Sequence, residues 1–261
     1  MKILDTHCHL NDDQLYPIVE EVIQRAKENA VVGVYNAGDS LPSFDRILDL
    51  HTRYPSFCKV VLGIHPEFAK ESEDYFQKAY QKIEENKDVL SAIGEIGLDY
   101  HYDKSEETKS IQKKRFVEQI RLAKKLNLPI VIHARDADFD TLEIIKEELP
   151  PKIDLHCFSG SLEIARQYLK LPIQVYFGVG GVSTFKNAKT IKEVIASVPL
   201  SHFLSETDCP YLAPTPHRGE RNEPCYLPLI LNQIALLANR PLEEVADEIY
   251  QNGEEFYGRN Q

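Results

Sequence analysis

Two histidines lie two residues apart near the start of the chain, in the stretch DTHCHL (5–10). The surrounding run KILDTHC is typical of a buried strand, in which residues two apart face the same side. His7 and His9 therefore point together, while Cys8 points away. A lone histidine at a strand end is more often a hydrogen-bonded core residue, but a pair of imidazoles on one face is a donor set for a divalent cation.

Other histidines and carboxylates lie near the carboxyl ends of later apolar runs. His65 lies in LGIHP, near the end of the third run, and Glu95 lies in AIGEIGLDY. The rest of the set comprises His133 in IVIHA, His156 in IDLHCFSG and Asp208 in FLSETDCPY. Burying an ionised carboxylate without a partner costs on the order of several kcal/mol, and a buried imidazole still needs hydrogen bonds. Divalent cations would remove that cost.

Six of these side chains form the predicted metal site. They are His7, His9, Glu95, His133, His156 and Asp208. One cation seldom takes six such ligands and keeps a position open for substrate, whereas two cations that share a carboxylate do so. We assign the shared position to Glu95, because a carboxylate has two oxygens. The first cation is then predicted to bind His7, His9, Glu95 and Asp208, and the second to bind Glu95, His133 and His156.

Eight apolar runs rich in valine and isoleucine must position these side chains. The runs span 2–8, 31–38, 59–66, 89–100, 128–134, 152–160, 173–181 and 202–211. Amphipathic stretches with helical spacing lie among them, at 15–29, 44–54, 113–127 and 162–171, and two more close the chain at 225–240 and 242–258. Buried strands that alternate with helices predict a parallel sheet, and eight strands close a (β/α)8 TIM-type barrel.

An open doubly wound sheet is the alternative fold, but it would place a glycine-rich phosphate loop after the first strand. HCHLNDD stands there instead. The chain has no low-complexity tract and no composition break, so we expect a single α/β barrel domain over residues 1–261. The active sites of such barrels lie at the carboxyl ends of the strands, where the polar residues fall.

Bulk composition narrows the class of protein. The net charge of −11 argues against non-specific coating of duplex DNA. No apolar run of about 18 residues and no leader-like start is present, so neither a membrane span nor a signal peptide is expected. Five cysteines without zinc-ribbon spacing are typical of reduced thiols in a cytoplasmic protein. No obligate protein partner is evident.

Seven motifs resemble, in order, those of the TatD-type metal-dependent deoxyribonucleases of the amidohydrolase-like superfamily. They are DTHCHL, LGIHP, IGEIGLDY, IHAR, HCFSG, SETDCPYL and PHRGERNEP (216–224). Each is weak alone, but the ordered set is highly specific and runs from residue 5 to about residue 224. The resemblance implies a β/α barrel that hydrolyses DNA with two metals held by the six ligands named above. It also implies that His65 and the Arg218-Gly219 loop lie near the substrate.

The expected chemistry is attack of an activated water on phosphorus, between two cations about 3.5–4 Å apart. Asp208 is predicted to orient the water and take its proton, with Glu95 as the shared ligand. His65 is predicted either to donate a hydrogen bond to a phosphate oxygen or to protonate the leaving oxygen. Arg135 and Arg218 are predicted to fork onto a phosphate, although a salt bridge with a nearby aspartate (136 or 138) suits Arg135 equally.

The predicted function is that of a DNA phosphodiesterase, specifically a 3′–5′ exonuclease on single strands or frayed ends. Four aromatic residues near the strand ends are candidates for base stacking: Tyr100, Tyr102, Phe158 and Tyr211. Imidazole-rich ligation suits Zn²⁺ or Mn²⁺, and carboxylates with a phosphate substrate suit Mg²⁺ or Mn²⁺, so the metal stays open. An amidohydrolase acting on a small amide, ester or lactone is the alternative, and a metal-binding scaffold without activity is a third possibility.

The remaining histidines and carboxylates are not predicted to bind metal. His51, His101 and His202 are predicted to lie outside the metal site. Asp5 is expected either to support a ligating histidine from behind or to be simply a strand-start residue, with the first role favoured slightly. Glu206 lies two residues before Asp208 and shares its facing, so it is a candidate for orienting a ligand or a buried basic group.

Overall fold

The computed structural model describes residues 1–258, in which eight strands alternate with helices. The strands are β1 (Ile3–Cys8), β2 (Val31–Ala37), β3 (Cys58–Leu62), β4 (Leu90–Asp99), β5 (Ile130–Arg135), β6 (Lys152–Leu155), β7 (Gln174–Val179) and β8 (Phe203–Ser205). The α-helices are α1 (Val19–Glu28), α2 (Ser43–Arg53), α3 (Glu73–Glu85), α4 (Glu106–Leu126), α5 (Asp138–Glu148), α6 (Leu162–Tyr168), α7 (Lys189–Ser197), α8 (Leu227–Ala238) and α9 (Leu242–Tyr257). Over these residues, no helix has the length and apolar character needed to cross a membrane.

Each strand pairs in parallel with the next, in the order β1 to β8. Hydrogen bonds between β1 and the region of the last strand close the ring. The Thr6 hydroxyl donates to the Ser205 carbonyl at 3.0 Å, and the Asp208 N–H donates to the His7 carbonyl at 2.9 Å. The predicted single-domain (β/α)8 barrel is therefore confirmed.

Amphipathic helices cover the outside of the barrel, because the spacing of their apolar residues places these on one face that packs against the strands. In α1, the buried residues Val19, Val22, Ile23 and Ala26 recur at intervals of three and four, which places them on one face. The inner side of the sheet has a separate apolar cluster, to which α9 contributes Phe256. Apolar packing therefore fills both sides of the strands and leaves the carboxyl ends for polar residues.

Helix α4 begins seven residues before the predicted start at 113 and ends at Leu126. The Ser105 hydroxyl accepts a hydrogen bond from the Thr108 N–H at 3.3 Å, which caps the first turn. Asn127 ends the helix in the left-handed conformation, with φ of 52°. The cap lies in a polar stretch without apolar periodicity, so the periodic pattern alone places the helix start too late.

β3 ends at Leu62, before the end of its run at 66, and β6 and β8 are shorter still relative to their runs. The run 152–160 contains only β6, and the run 202–211 contains only β8, so the histidine and aspartate that follow them lie just beyond the strand ends. After β8, Asp208 has a positive φ of 56°, which a strand does not allow. Asp5 holds this segment, because its carboxylate accepts hydrogen bonds from the Thr207 N–H at 2.9 Å and from the Thr207 hydroxyl at 2.5 Å.

Candidate metal centre

The six predicted ligands meet at the carboxyl ends of the strands. His7 and His133 belong to β1 and β5, and Glu95 belongs to β4. Of the other three, His9 and His156 directly follow β1 and β6, and Asp208 lies three residues after the end of β8. Five of the six are buried, and His133 is partly exposed. The barrel thus gathers side chains that are separated by up to two hundred residues in the sequence.

The Glu95 carboxylate lies at the centre of this group, and its two oxygens face different histidines. Oε2 is 3.4 Å from His7 Nε2 and 3.6 Å from His9 Nε2. Oε1 is 2.8 Å from His133 Nδ1 and 3.1 Å from His156 Nε2. This is the geometry expected of a carboxylate shared between two cations.

Asp208 completes the first side of the group. Its Oδ1 is 3.7 Å from His7 Nε2 and 3.5 Å from His9 Nε2, and the two Nε2 atoms are 3.1 Å apart. A tetrahedral cation with bonds of about 2.1 Å holds its donor atoms about 3.4 Å apart. The measured separations match that value, so the residues present fit a divalent cation. Glu95, His133 and His156 form a second such group.

The charges of these groups support one another. Burial alone would raise the pKa of Glu95, but His156, His133 and His7 hold it well below its usual range. For His9, burial alone would lower the pKa, but the hydrogen bond with Asp208 and the charge of Glu95 raise it to about 9. The carboxylates therefore stay ionised at neutral pH and can act as ligands.

Further carboxylates lie behind two of the imidazoles. Asp99 Oδ2 is 3.0 Å from His133 Nε2, and Glu206 Oε1 is 3.4 Å from His156 Nδ1. Such partners fix the tautomer and orientation of a ligating imidazole. Sequence reasoning named Glu206 but missed Asp99, although Asp99 lies four residues after Glu95 on the same face of β4.

Asp5 was expected to support a ligating imidazole in the same way, and this is wrong. Its carboxylate instead contacts backbone and hydroxyl groups, accepting from the His7 N–H at 3.4 Å and from Thr207. Burial raises the pKa of Asp5 to about 7, against the hydrogen bonds from Thr207. Asp5 therefore positions the segment that carries Asp208.

His65 lies beside the second group of ligands. Its Nε2 is 3.8 Å from Glu95 Oε1, and its Nδ1 accepts a hydrogen bond from the Glu67 N–H at 3.2 Å. The single proton of a neutral imidazole must then sit on Nε2. Burial, together with the charge of His133, lowers the pKa of His65 to about 4. His65 is therefore suited to donate a hydrogen bond, which favours the first of its two predicted roles.

A cleft of about 840 Å³ opens above the ligands. Its basic lining residues are Arg46, Lys70 and Arg135, apart from histidines. Arg46 pairs with Asp13 at 2.6 Å, and Lys70 pairs with Asp103 at 2.9 Å.

Arg135 differs from the other two basic residues of the cleft. Between residues 1 and 258, no carboxylate lies within ion-pair distance of its guanidinium, so the alternative salt bridge is absent. Asp136 instead contacts His101 at 3.4 Å and Lys104 at 3.3 Å. Arg135 is thus free to bind an anion.

Several other predicted residues lie apart from the metal centre. Arg218 lies over the Phe185 ring at 4.3 Å and does not line the cleft, so its contact with substrate stays a prediction. His51 and His202 bind backbone carbonyls of Cys58 and Val175.

The four candidate stacking residues divide into two pairs. Tyr100 and Phe158 are buried in the core, where they cannot stack on a base. Tyr102 and Tyr211 are exposed and line the cleft. Only the second pair is therefore available to a substrate.

The fold and the site together define a metal-dependent hydrolase built on a (β/α)8 barrel. A family model described as TatD related DNase matches residues 4–258, and the chain belongs to this family. The uncharacterized metal-dependent hydrolase YabD of Bacillus subtilis (strain 168) is 42% identical over 260 residues, covering 99% of this chain and 100% of the relative. The uncharacterized metal-dependent hydrolase YcfH of Escherichia coli (strain K12) is 34% identical, covering 94% and 92%. The crystal structure of YJJV, a TatD homolog from Escherichia coli K12, aligns with a TM-score of 0.90 at 29% identity and covers 97% of each chain.

Proposed function

We propose that this protein is a two-metal deoxyribonuclease that removes nucleotides from the 3′ ends of single strands or frayed duplexes. The observation that carries the proposal is the Glu95 carboxylate, whose two oxygens face separate histidine pairs on the floor of an open cleft. Zn²⁺, Mn²⁺ and Mg²⁺ are the candidate cations. All five cysteines are unpaired, which accords with action in the reducing cytoplasm.

The cations would be held by the six ligands described above. When bound, they supply a nucleophile at neutral pH and stabilise the charge that develops on the phosphoryl oxygens. Asp208 is ionised, since its bond with His9 and the nearby histidines lower its pKa against the effect of burial. Its carboxylate is the group that accepts the proton of the attacking water.

Two further side chains bind the substrate in this proposal. The Nε2–H of His65 donates to a phosphate oxygen, because its Nδ1 is occupied by the Glu67 N–H. The guanidinium of Arg135, which has no carboxylate partner in the described chain, binds a phosphate by a forked pair of hydrogen bonds. Neither role needs either residue to change its protonation state.

The charge of the protein favours strand ends over intact duplex. The net charge is −11, and the lining of the cleft includes Asp12 and Asp39 besides Asp13 and Asp103, which pair with Arg46 and Lys70. A duplex would bring two rows of phosphates to this negatively charged protein, whereas a single strand brings one row to the metal centre.

The test is a nuclease assay with end-labelled single- and double-stranded DNA, with added Mg²⁺ or Mn²⁺. We expect stepwise shortening from the 3′ end, faster on single strands, and loss of activity with EDTA. Glu95→Ala and Asp208→Asn should both be inactive while remaining folded by circular dichroism. Turnover of amides, esters or lactones in place of DNA would replace this proposal with the amidohydrolase alternative.

A further inference from the structure

Tyr102 exposes 77% of its surface, although its ring lines the cleft. It lies in the connection between β4 and α4. One of its faces is close to the Arg135 guanidinium, whose Cζ atom is 5.3 Å from the ring centroid. The Tyr102 hydroxyl also accepts a hydrogen bond from Arg135 Nη1 at 3.4 Å. An aromatic ring and a cation are thus joined at the rim of the cleft.

The pair has a fixed position relative to the metal ligands. Arg135 follows His133 by two residues in β5, which is one strand repeat of about 6.6 Å on the same side. The Tyr100 N–H donates to the Arg135 carbonyl at 2.9 Å, and so extends the pairing of β4 with β5 up to the loop that carries Tyr102. The pair therefore stands one strand repeat, or two residues, away from His133 in the second group of ligands.

We propose that Tyr102 and Arg135 form a nucleotide subsite next to the metal centre. The Tyr102 ring, which is exposed although the His101 ring also lies 5.0 Å from it, stacks on the base of the nucleotide beside the scissile phosphate, and Arg135 binds the phosphate of that nucleotide. The inference rests on the proposed nuclease function and adds to it a residue that recognises the base by its π-face.

The chemistry of the two side chains matches this ligand. Every base has a π-face, so stacking on a tyrosine is strong but tolerant of sequence. A guanidinium that already lies over the ring polarises it and can also fork onto phosphate oxygens. Tyr211 is less suitable, since it exposes 50% of its surface against 77% for Tyr102, and within residues 1–258 no lysine or arginine side chain lies over its ring as Arg135 lies over that of Tyr102.

The experiment compares intact single-stranded oligonucleotides with oligonucleotides that carry a tetrahydrofuran residue, which lacks a base. The residue replaces either the 3′-terminal nucleotide or the one before it. With wild-type protein, we expect kcat/KM to fall about 5- to 150-fold on one of the two, the range that stacking of one base gives. Tyr102→Ala should lower kcat/KM on the intact oligonucleotide by the same factor. The variant should then cleave the intact oligonucleotide and the affected tetrahydrofuran oligonucleotide at equal rates. Tyr102→Phe should keep the wild-type preference.

Phe139→Ala is the matched control, because Phe139 exposes 69% of its surface on α5 outside the cleft. It should leave all rates unchanged. The subsite is refuted if Tyr102→Ala keeps the wild-type rate on intact DNA, or if it slows all three oligonucleotides equally.

A binding measurement separates failure of the subsite from failure of the proposed function. Calorimetry on the metal-loaded protein compares thymidine 5′-phosphate with deoxyribose 5-phosphate. If no oligonucleotide is cleaved but the thymidine compound binds about 5-fold or more tightly, and only when Tyr102 is present, the nuclease proposal fails and the subsite stands. Equal binding of the two compounds to wild-type protein would overturn the subsite.

Discussion

Asp99 and Glu95 hold the two ring nitrogens of one histidine. Glu95 Oε1 lies 2.8 Å from His133 Nδ1, and Asp99 Oδ2 lies 3.0 Å from His133 Nε2. A carboxylate at Nε2 keeps the proton there and leaves the Nδ1 lone pair for a cation. Asp99 is itself fixed, since its carboxylate accepts from the His101 N–H at 2.8 Å. Asp99 is therefore a positioning residue for His133 in the second group of candidate ligands.

Replacing Asp99 by asparagine tests that role. An amide has the same shape but no negative charge, so His133 would lose its orientation and part of its basicity. We expect Asp99→Asn to weaken metal binding about 10- to 100-fold. Metal titration of chelator-treated protein measures this directly. Asp13→Asn is the control, because Asp13 lines the cleft but pairs with the surface residue Arg46, and it should leave metal affinity within about twofold. Equal metal affinity in Asp99→Asn and wild type would contradict the role.

At the scale of elements, the pairing of β4 with β5 sets the positions of Glu95, Asp99 and His133. Gly97 lies opposite His133 in this pairing, with φ of 148°. A Cβ added at Gly97 would lie against the His133 carbonyl oxygen, well inside van der Waals contact. Backbone atoms cannot move aside as a flexible side chain does, so the site depends on a glycine at this position.

Gly97→Ala should therefore destabilise the protein by about 3 kcal/mol or more, because it adds a clash to backbone strain. Gly219→Ala is the matched variant. Gly219 also has a positive φ, 92°, but no atom lies within 4 Å of the Cβ position. It should cost about 1 kcal/mol. Urea unfolding measures both changes, and equal losses would show that the close approach to His133 has no cost.

Cys58, at the start of β3, should make the free energy of unfolding depend on pH in the alkaline range. Burial raises the pKa of its thiol from about 9 to about 12. Because the pKa is raised in the folded state, the contribution of this group to stability is complete below pH 9 and falls as the pH rises toward 12. Between pH 8 and pH 10.5, the loss should be about 2 kcal/mol.

Urea unfolding of wild type and Cys58→Ala at the two pH values isolates this loss. The variant lacks the thiol, so its unfolding free energy should fall less over the interval by that amount. Other buried thiols and phenols titrate in both proteins and cancel in the comparison. Parallel pH profiles for the two proteins would mean that Cys58 is not protected from ionisation.

At the scale of the whole molecule, the sequence was sufficient for features that repeat along the chain. Eight apolar runs predicted eight strands, and the polar residue near the end of most runs predicted the gathering of His7, Glu95 and His133. Features that depend on loops were not predictable in this way. The run 202–211 looks like one strand, yet Asp208 takes a positive φ because its segment donates hydrogen bonds to the His7 carbonyl and to the Asp5 carboxylate. The local spacing of apolar residues cannot predict contacts between residues that are far apart in the sequence.

The pairing of charges in the cleft was equally hidden from the sequence. Arg135 is followed by Asp136, which suggested a salt bridge, but the barrel turns Asp136 toward Lys104 and leaves Arg135 over Tyr102. The signal for Asp99 was present, by contrast. Residues four apart in a strand share a face, so Glu95 already indicated that Asp99 would point into the same mouth.

Metal removal should affect the stability of the entire barrel, because the ligands come from both ends of the closed sheet. His7 lies in β1 and Asp208 follows β8, and their segments are joined by the hydrogen bond from the Asp208 N–H to the His7 carbonyl, 2.9 Å long. A cation bound by both residues would tie the first strand to the last. A ligand that binds only the folded state at about 100 times its Kd adds about 2.7 kcal/mol of stability.

For a chain of this size, that gain corresponds to a rise in Tm of about 5–10 °C. We expect EDTA-treated protein to stay folded by circular dichroism and to unfold at a Tm lower by this amount than protein with saturating Mn²⁺ or Zn²⁺. Glu95→Gln keeps the size of the side chain but removes the charge shared by the two positions, so its Tm should barely respond to metal. A Tm of wild-type protein that does not change with metal, or an equal rise in Glu95→Gln, would mean that cations do not bind at the group centred on Glu95.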